Sequence, residues 1–167
     1  MQQELLTLGS ERKSTLLRFL ATLLAAAGLS GPAPAQRVSE NMELMGAIAR
    51  EIVNCRELDG VDWVEVSAIF AMNDKGSVNE SYGYAYDRSG RPHAVAFLYD
   101  PIERAVEHYH EWLRQKADKG MIKMLFQFNR ETQKVNADFE YDNPDRWQVT
   151  PDNIDTIVEE LRPKLGK

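Results

Sequence analysis

The stretch that decides the fold lies near the end of the chain, and it runs Lys134-Val135-Asn136-Ala137-Asp138-Phe139-Glu140-Tyr141-Asp142-Asn143-Pro144-Asp145-Arg146-Trp147. Its first part alternates between apolar and polar residues, and the side chains of a strand point to opposite faces with a period of two. One face of the predicted strand therefore carries Val135, Ala137, Phe139 and Tyr141. The other face carries Asn136, Asp138, Glu140 and Asp142. The pattern predicts a half-buried strand whose polar face is open to solvent.

Further strands are predicted on the N-terminal side of this one. Alternating or apolar stretches occur at residues 63–72, 81–87, 93–98 and 124–128. The last of them is expected to pair with the acidic strand across a short turn at residues 130–133. These segments predict a sheet of five strands.

Helical spacing separates and flanks the strands. We expect a helix over residues 39–56, a second that starts at Asp100-Pro101, and a last one capped by Thr150 with Pro151 at its first position. The resulting order is α–βββ–α–ββ–α, with turns of hairpin length. That order predicts an α+β fold with an antiparallel five-stranded sheet, covered on one side by helices.

The N-terminal residues form a separate pattern. We predict an N-terminal helical extension with a Pro/Ala linker over residues 1–38, followed by a single α+β domain over residues 39–167. The run at residues 16–27 has the spacing of an extra packed helix, which favours a cytoplasmic protein. The alternative is a periplasmic protein, if residues 12–35 act as a signal peptide, because a basic flank, an apolar run and a small-residue ending follow one another. The run is too short to span a membrane, and Arg18 interrupts it.

Negative charge is concentrated in one region. Residues 136–160 contain eight Asp or Glu and one basic residue, a local charge of −7 against −6 for the whole chain. One interpretation is a solvated sheet face that keeps the protein soluble, and the other is a docking surface for a basic partner. An acidic chain with a pI near 5.1 argues against nucleic-acid binding, which needs clustered Lys and Arg.

The sequence offers little for catalysis. It contains no phosphate-binding glycine loop, zinc-protease motif or nucleophile elbow, and Cys55 is the single cysteine. His108 and His110 lie two positions apart on a predicted helix and point in different directions, so they cannot hold one metal ion. Asp138 and Glu140 would lie about 7 Å apart on one strand face, a spacing that could suit a hydrolase pair. Their polar surroundings argue against catalysis, and we expect no catalytic residues, no metal and no cofactor.

Several segments together resemble the YezG-like immunity proteins of bacterial polymorphic toxin systems. The resemblance covers roughly residues 42–165 and is most specific in the last hairpin, Phe126-Gln127-Phe128-Asn129-Arg130 with residues 135–142, and in its continuation Asp142-Asn143-Pro144-Asp145-Arg146-Trp147. It extends more generally to Trp63-Val64-Glu65-Val66, to the strand Tyr82-Gly83-Tyr84-Ala85-Tyr86 and to the helix that carries Trp112.

The resemblance implies a function and a partner. Members of the family are small acidic proteins that bind and neutralise a secreted toxin, often a nuclease. It therefore implies a non-enzymatic antitoxin that forms a 1:1 complex with its cognate toxin and occludes a basic active-site cleft. The implied toxin-binding residues are Asp138, Glu140, Asp142, Asp145 and Trp147. The alternatives are an exported inhibitor of an effector that acts on the cell envelope, or a carboxylate-dependent hydrolase.

Overall fold

The computed structural model describes residues 33–116 and 118–166. Its elements follow the predicted order: α1 (Pro34–Val53), a 3-10 turn (Arg56–Leu58), β1 (Trp63–Met72), β2 (Val78–Asp87), β3 (Pro92–Val95), α2 (Asp100–Gln115), β4 (Lys123–Asn129), β5 (Lys134–Glu140) and α3 (Ile154–Glu160). The strands form one antiparallel sheet in the order β3-β2-β1-β4-β5. The predicted α+β class and five-stranded antiparallel sheet are confirmed.

The first face of the sheet packs under α1 and α2. Alternate residues of β1, such as Val66, Ala68 and Phe70, form one cluster with Ile48 and Ile102 of the two helices. Polar contacts join the helices to each other: the Tyr109 hydroxyl donates to Asn41 over 2.8 Å, and the Trp112 indole N–H donates to Glu40 over 3.1 Å. This face holds the larger part of the core.

The second face of the sheet is also covered, which differs from the expected one-sided arrangement. Ile157 and Leu161, at α3 and its C-terminal end, pack with Ile69, Leu125 and Tyr86 on this face. The Tyr86 hydroxyl donates to Val158 O over 2.7 Å. Tyr82, Tyr84 and Tyr86 of β2, which we call the tyrosine row, make this face too apolar to remain open to water. The last helix therefore lies across this face instead of joining α1 and α2.

Two side chains of the sheet hold the end of α3. Both the Ser67 hydroxyl and the Gln127 amide donate to Leu161 O, the latter over 2.8 Å. Ser67 and Gln127 are buried, so without this carbonyl the Ser67 O–H and the Gln127 side-chain N–H would lose the acceptor that they share. The position of α3 is therefore set by hydrogen bonds as well as by apolar packing.

The first helix begins earlier than the sequence pattern suggested. We placed its start at residue 39, after a linker, whereas α1 begins at Pro34. Proline is favoured at the first helical position because its missing N–H would have no partner there. The predicted boundary after residue 38 consequently falls inside α1.

The start of the last helix was also predicted wrongly. Thr150 is not its cap: residues 151–153 form a turn, and α3 begins at Ile154. The side chain of Asn153 organises this turn, because its Oδ1 accepts the Thr150 N–H over 2.7 Å and its Nδ2 donates to Gln148 O over 2.8 Å. Ile154, the first residue of α3, is half exposed.

The expected N-terminal extra helix and the possible signal peptide lie largely outside the described residues. Within residues 33–116 and 118–166, no helix has both the length and the apolar character needed to cross a lipid bilayer.

The turn before α3 leads to a test of stability. We expect Asn153→Ala to lower the free energy of unfolding by about 1–2 kcal/mol, because it removes two hydrogen bonds whose net contributions are about 0.5–1.5 kcal/mol each. Thr150→Ala is the control, since it keeps the backbone N–H that Asn153 accepts, and it should cost much less. Urea denaturation followed by circular dichroism measures both variants. An equal loss for both would show that the Thr150 side chain organises the turn after all.

Candidate protein-binding surface

The alternation predicted for the acidic strand is present in β5. Val135, Ala137 and Phe139 are half-buried and pack against the first-face core. Asn136 and Asp138 are exposed on the opposite side, next to Gln127 and Leu125 of β4. The polar side chains of β5 therefore lie on the same sheet face as α3.

Glu140 has a structural role at the end of β5. Its Oε1 accepts the backbone N–H groups of Tyr141, Asp142 and Asn143 over 2.8–2.9 Å, and Arg146 donates to its Oε2 over 3.1 Å. These hydrogen bonds, first from Asp142 and then from Asn143, lower the pKa of Glu140 to about 2. The carboxylate stabilises the turn that follows β5, and its side chain is only 13% exposed. It is not a free acceptor for a partner.

The next two acids remain accessible. Asp142 forms an ion pair with Lys119 at 2.9 Å, but its side chain is 82% exposed, so this pair is screened by water and contributes little to stability. Asp145 is exposed, and its hydrogen bonds are made by its backbone: its N–H donates to Asn143 Oδ1 over 3.0 Å, and its C=O accepts from the Gln148 N–H over 3.1 Å. Both can meet a cation from a partner.

Trp147 belongs to the core instead of the surface. It is 7% exposed and packs with Tyr84, Leu125 and Ile157 in the second-face cluster. Its backbone adopts a φ of 61°, and the Arg146 guanidinium lies 4.2 Å from its ring centroid. Its burial explains why the sequence needs an aromatic residue here, and it leaves no side-chain surface for binding.

The acidic region of the sequence divides into paired and unpaired carboxylates. Glu140, Asp142 and Glu159 have cationic partners. The remaining five lie at exposed positions and have no hydrogen bond or ion pair to the carboxylate within the described residues; they are Asp138, Asp145, Asp152, Asp155 and Glu160. We call these five the unpaired carboxylates. They cluster in the part of the chain that runs from β5 through α3.

A groove of about 840 Å³ lies on the second face, between the edge of β2 and the segment before α3. Tyr82 and Tyr84 line it, together with Lys123, whose Nζ donates to Arg146 O over 3.1 Å. The Tyr82 hydroxyl donates to Trp147 O over 3.4 Å. These contacts hold residues 144–149 against the second face of the sheet. Tyr82 and Lys123 therefore help to position the segment that carries Asp145.

The geometry does not assemble a catalytic group from the residues that we considered for one. A carboxyl group with a pKa near 2 is ionised at neutral pH and cannot donate a proton, so Glu140 does not suit the general acid of a hydrolase pair with Asp138. His93 lies 2.9 Å from Asp87, whose other oxygen organises the β2–β3 turn by accepting from Ser89 and Arg91. Within residues 33–116 and 118–166, no cluster of His, Cys, Asp and Glu has the arrangement to hold a metal ion.

Two features of this surface were absent from the sequence prediction. Lys119 approaches Asp142 from the loop after α2, and three backbone N–H groups converge on Glu140. The sequence Glu140-Tyr141-Asp142-Asn143 could have predicted the role of Glu140, because an acid directly before a polar turn commonly accepts the N–H groups of that turn.

Comparisons with known proteins add no identification. No protein-family model matches the chain, and a search of curated proteins returns no match. The resemblance to YezG-like immunity proteins therefore rests on the residues quoted for it.

The low pKa of Glu140 leads to a pH-dependent prediction. Its folded-state pKa of about 2 lies below its ordinary value of 4.5, so its stabilising effect is present above pH 4.5 and is lost as the pH falls toward 2. We expect Glu140→Gln to be less stable than the wild type at pH 7, and the difference to shrink steadily as the pH is lowered from 5 toward 3. Urea midpoints across this range measure it.

The matched control for this experiment is Asp138→Asn, which removes one negative charge from the same strand without removing a contact to the turn. Its stability at pH 7 should equal that of the wild type. If Glu140→Gln showed a stability difference that is constant with pH, the carboxylate would not be the group that holds the turn.

Proposed function

We propose that this protein is an immunity protein that binds and neutralises a cognate secreted bacterial toxin in a 1:1 complex. The toxin is expected to be a nuclease or another enzyme that acts on nucleotides. Such an enzyme must present basic residues to bind phosphate groups, and an acidic surface of the inhibitor can occupy the same cleft. The protein would have no catalytic turnover of its own.

The observation that carries this proposal is the set of unpaired carboxylates. Like charges that are close together on a surface repel each other, and surrounding cations commonly offset this repulsion. Here Asp138, Asp145 and Asp155 lack such cations within the described residues, whereas Glu140 and Glu159 have them. A basic partner would supply the missing positive charge, and it would also be steered toward the surface from a distance.

The exposed face of α3 supports the same surface. Ile154 is a large apolar residue that is 51% exposed, and it lies between Asp152 and Asp155 in the chain. An exposed apolar side chain with charged neighbours is typical of the anchors that dominate protein interfaces. In the proposed complex Ile154 is buried, while the carboxylates around it set orientation and association rate.

The proposed place of action is the cytoplasm, where a nuclease reaches its substrate. The alternative is a periplasmic inhibitor of an effector that acts on the envelope, which requires residues 12–35 to direct export. Fractionation of cells that produce the tagged full-length chain separates these two possibilities, because an exported chain is recovered in the periplasmic fraction and is shorter.

The main test uses the product of a toxin-sized gene adjacent to the gene for this protein. We expect that product to be harmful when produced alone, harmless together with this chain, and recovered with it as a 1:1 complex. The variant Asp138→Asn/Asp145→Asn/Asp155→Asn should bind at least tenfold more weakly and should lose most of the salt dependence of association, because about 2–5 kcal/mol is typical for removing one partner of a desolvated charge pair.

The control variant is Asp59→Asn/Asp74→Asn/Glu111→Gln, which removes the same charge from exposed positions outside the acidic region. It should retain wild-type affinity and salt dependence. Equal weakening by both variants would indicate a general effect of net charge, and unchanged binding by the first variant would show that the acidic surface is only a solvated face. The test leaves Glu140 intact because its loss would disturb the fold.

A further inference from the structure

The outer edge of β5 has no neighbouring strand within residues 33–116 and 118–166. β5 is the last strand of the sheet order, and its only strand partner is β4. The edge of a sheet presents backbone N–H and C=O groups that can pair with another extended chain. Which residues present them follows from the hydrogen bonds of the neighbouring strands.

Two hydrogen bonds at the ends of the β1–β4 ladder show which residues of β4 bond to β1 and which bond to β5. Arg130 N–H donates to Val64 O, and Met72 N–H donates to Ile122 O, both over 2.9 Å. The even-numbered residues of β4 therefore bond to β1, and the odd-numbered ones bond to β5, because bonding directions alternate along an antiparallel strand. The β4–β5 register then leaves the N–H and C=O groups of Val135, Ala137 and Phe139 directed away from the sheet.

A groove of mixed polarity lies beside the start of this edge on the first face of the sheet. It has a volume of about 550 Å³. Its apolar lining comes from Ala49 and Val53 of α1 and from Phe128 and Val135 of the sheet, and Arg50, Asn54 and Gln133 form its polar part. Val53 is 52% exposed at its rim. The small side chains of Gly46 and Ala49 leave space between α1 and the sheet for additional apolar groups.

The opposite face of the same edge carries Lys134, Asn136, Asp138 and Glu140, of which Glu140 is engaged at the turn after the strand. Asp138 is exposed and has no cation within the described residues. In an added antiparallel strand, the residue across from Asp138 would occupy a non-hydrogen-bonded position, because the bonded positions belong to Val135, Ala137 and Phe139. Side chains come closest at such positions, with Cβ atoms about 4.5–5.5 Å apart. A Lys or Arg there would meet the carboxylate directly.

We propose that β5 is a docking edge to which an extended, basic segment of the partner adds as a sixth strand. This inference rests on the proposed function and specifies how the toxin binds. The alternate apolar side chains of the segment enter the groove beside α1, and its intervening basic side chains face Asp138. The backbone of the segment pairs with Val135, Ala137 and Phe139. A segment that alternates between basic and apolar residues places its apolar side chains in the groove and its basic side chains beside Asp138 at the same time.

The charge of the chain disfavours a second copy of the protein as the occupant. The copy would bring its own acidic region of −7 alongside the same edge, in a chain whose net charge is −6. Like-charged surfaces that approach each other repel. A basic segment is instead attracted by the negative charge of the acidic region.

The test uses a synthetic probe, the peptide acetyl-Arg-Val-Arg-Val-Arg-Val-Arg-amide, with the full-length protein. We expect the peptide to slow hydrogen exchange at Val135, Ala137 and Phe139 at least tenfold and to leave the N–H groups of β1 unchanged. A peptide of the same charge, with backbone N-methyl groups on its three Val residues, cannot pair with the edge and should give no such protection. Equal protection by both peptides, or protection by neither, would overturn strand addition.

A pair of variants tests the same edge from the protein side. Ala137→Pro removes one outward N–H without removing a β4–β5 bond, and proline is tolerated at such edge positions. Ala137→Val adds comparable bulk and keeps the N–H. We expect the proline variant to bind the Arg-Val peptide at least tenfold more weakly by fluorescence anisotropy, and the valine variant to bind like the wild type. If Ala137→Pro failed to fold, the N-methylated peptide would still decide the question.

Hydrogen exchange of the free protein shows whether the edge of β5 is already covered. If the N–H groups of Val135, Ala137 and Phe139 are already protected in the free full-length chain, then the edge is covered by another part of the chain or by a second copy, and the proposal is wrong. Sedimentation distinguishes these two cases. Failure of strand addition while the chain still neutralises the adjacent gene product would remove this mode of binding alone. Failure to bind that product at all would remove the proposed function.

Discussion

The structure depends on one constraint, which is that the two central strands are buried on both faces. All residues of β4 are buried, and so are those of β1 from Val66 onward. Strands of this kind need cover on both sides because neither face can remain in contact with water. α1 and α2 supply the cover on one face, and α3 with the segment before it supplies the cover on the other. β5, at the edge, keeps the polar side chains Asn136 and Asp138 in solvent.

This arrangement explains why the acidic residues differ in role although they look alike in the sequence. Glu140 lies where the chain leaves the sheet, so its carboxylate is used to hold the turn, and through Arg146 it is connected to the buried Trp147. Asp138 lies only two residues away, in the middle of the edge strand, where its side chain is exposed. The fold therefore uses one carboxylate for stability and leaves the other exposed. Mutating all acids of the strand together would mix these two effects.

The two functional proposals share Asp138: the first concerns the charged side chains from β5 through α3, and the second concerns the backbone of β5. In the proposed complex the unpaired carboxylates would attract a basic partner, but charge alone specifies neither register nor orientation. Backbone pairing along β5 would supply both, since each added hydrogen bond positions the next side chain. The groove beside α1 gives the partner's apolar side chains a place on the other face. An exposed edge of this kind is an aggregation hazard, and negative charge near it limits self-association.

The sequence by itself determined the α+β class, the order of the elements and the alternation within β5, because the period of two and the helical spacing are local properties of the chain. It also located the acidic region, and the α–βββ–α–ββ–α order together with short turns was enough for an antiparallel sheet. It did not show that Trp147 is buried, that Glu140 caps a turn, or that Thr150 lies before a turn instead of a helix. Those outcomes depend on which distant residues come into contact, such as Trp147 with Tyr84 or Lys119 with Asp142. Only the tertiary structure decided which face α3 covers and that β5 lies at an edge of the sheet, because side-chain burial on the second face and the strand order are long-range consequences of packing that no local pattern contains.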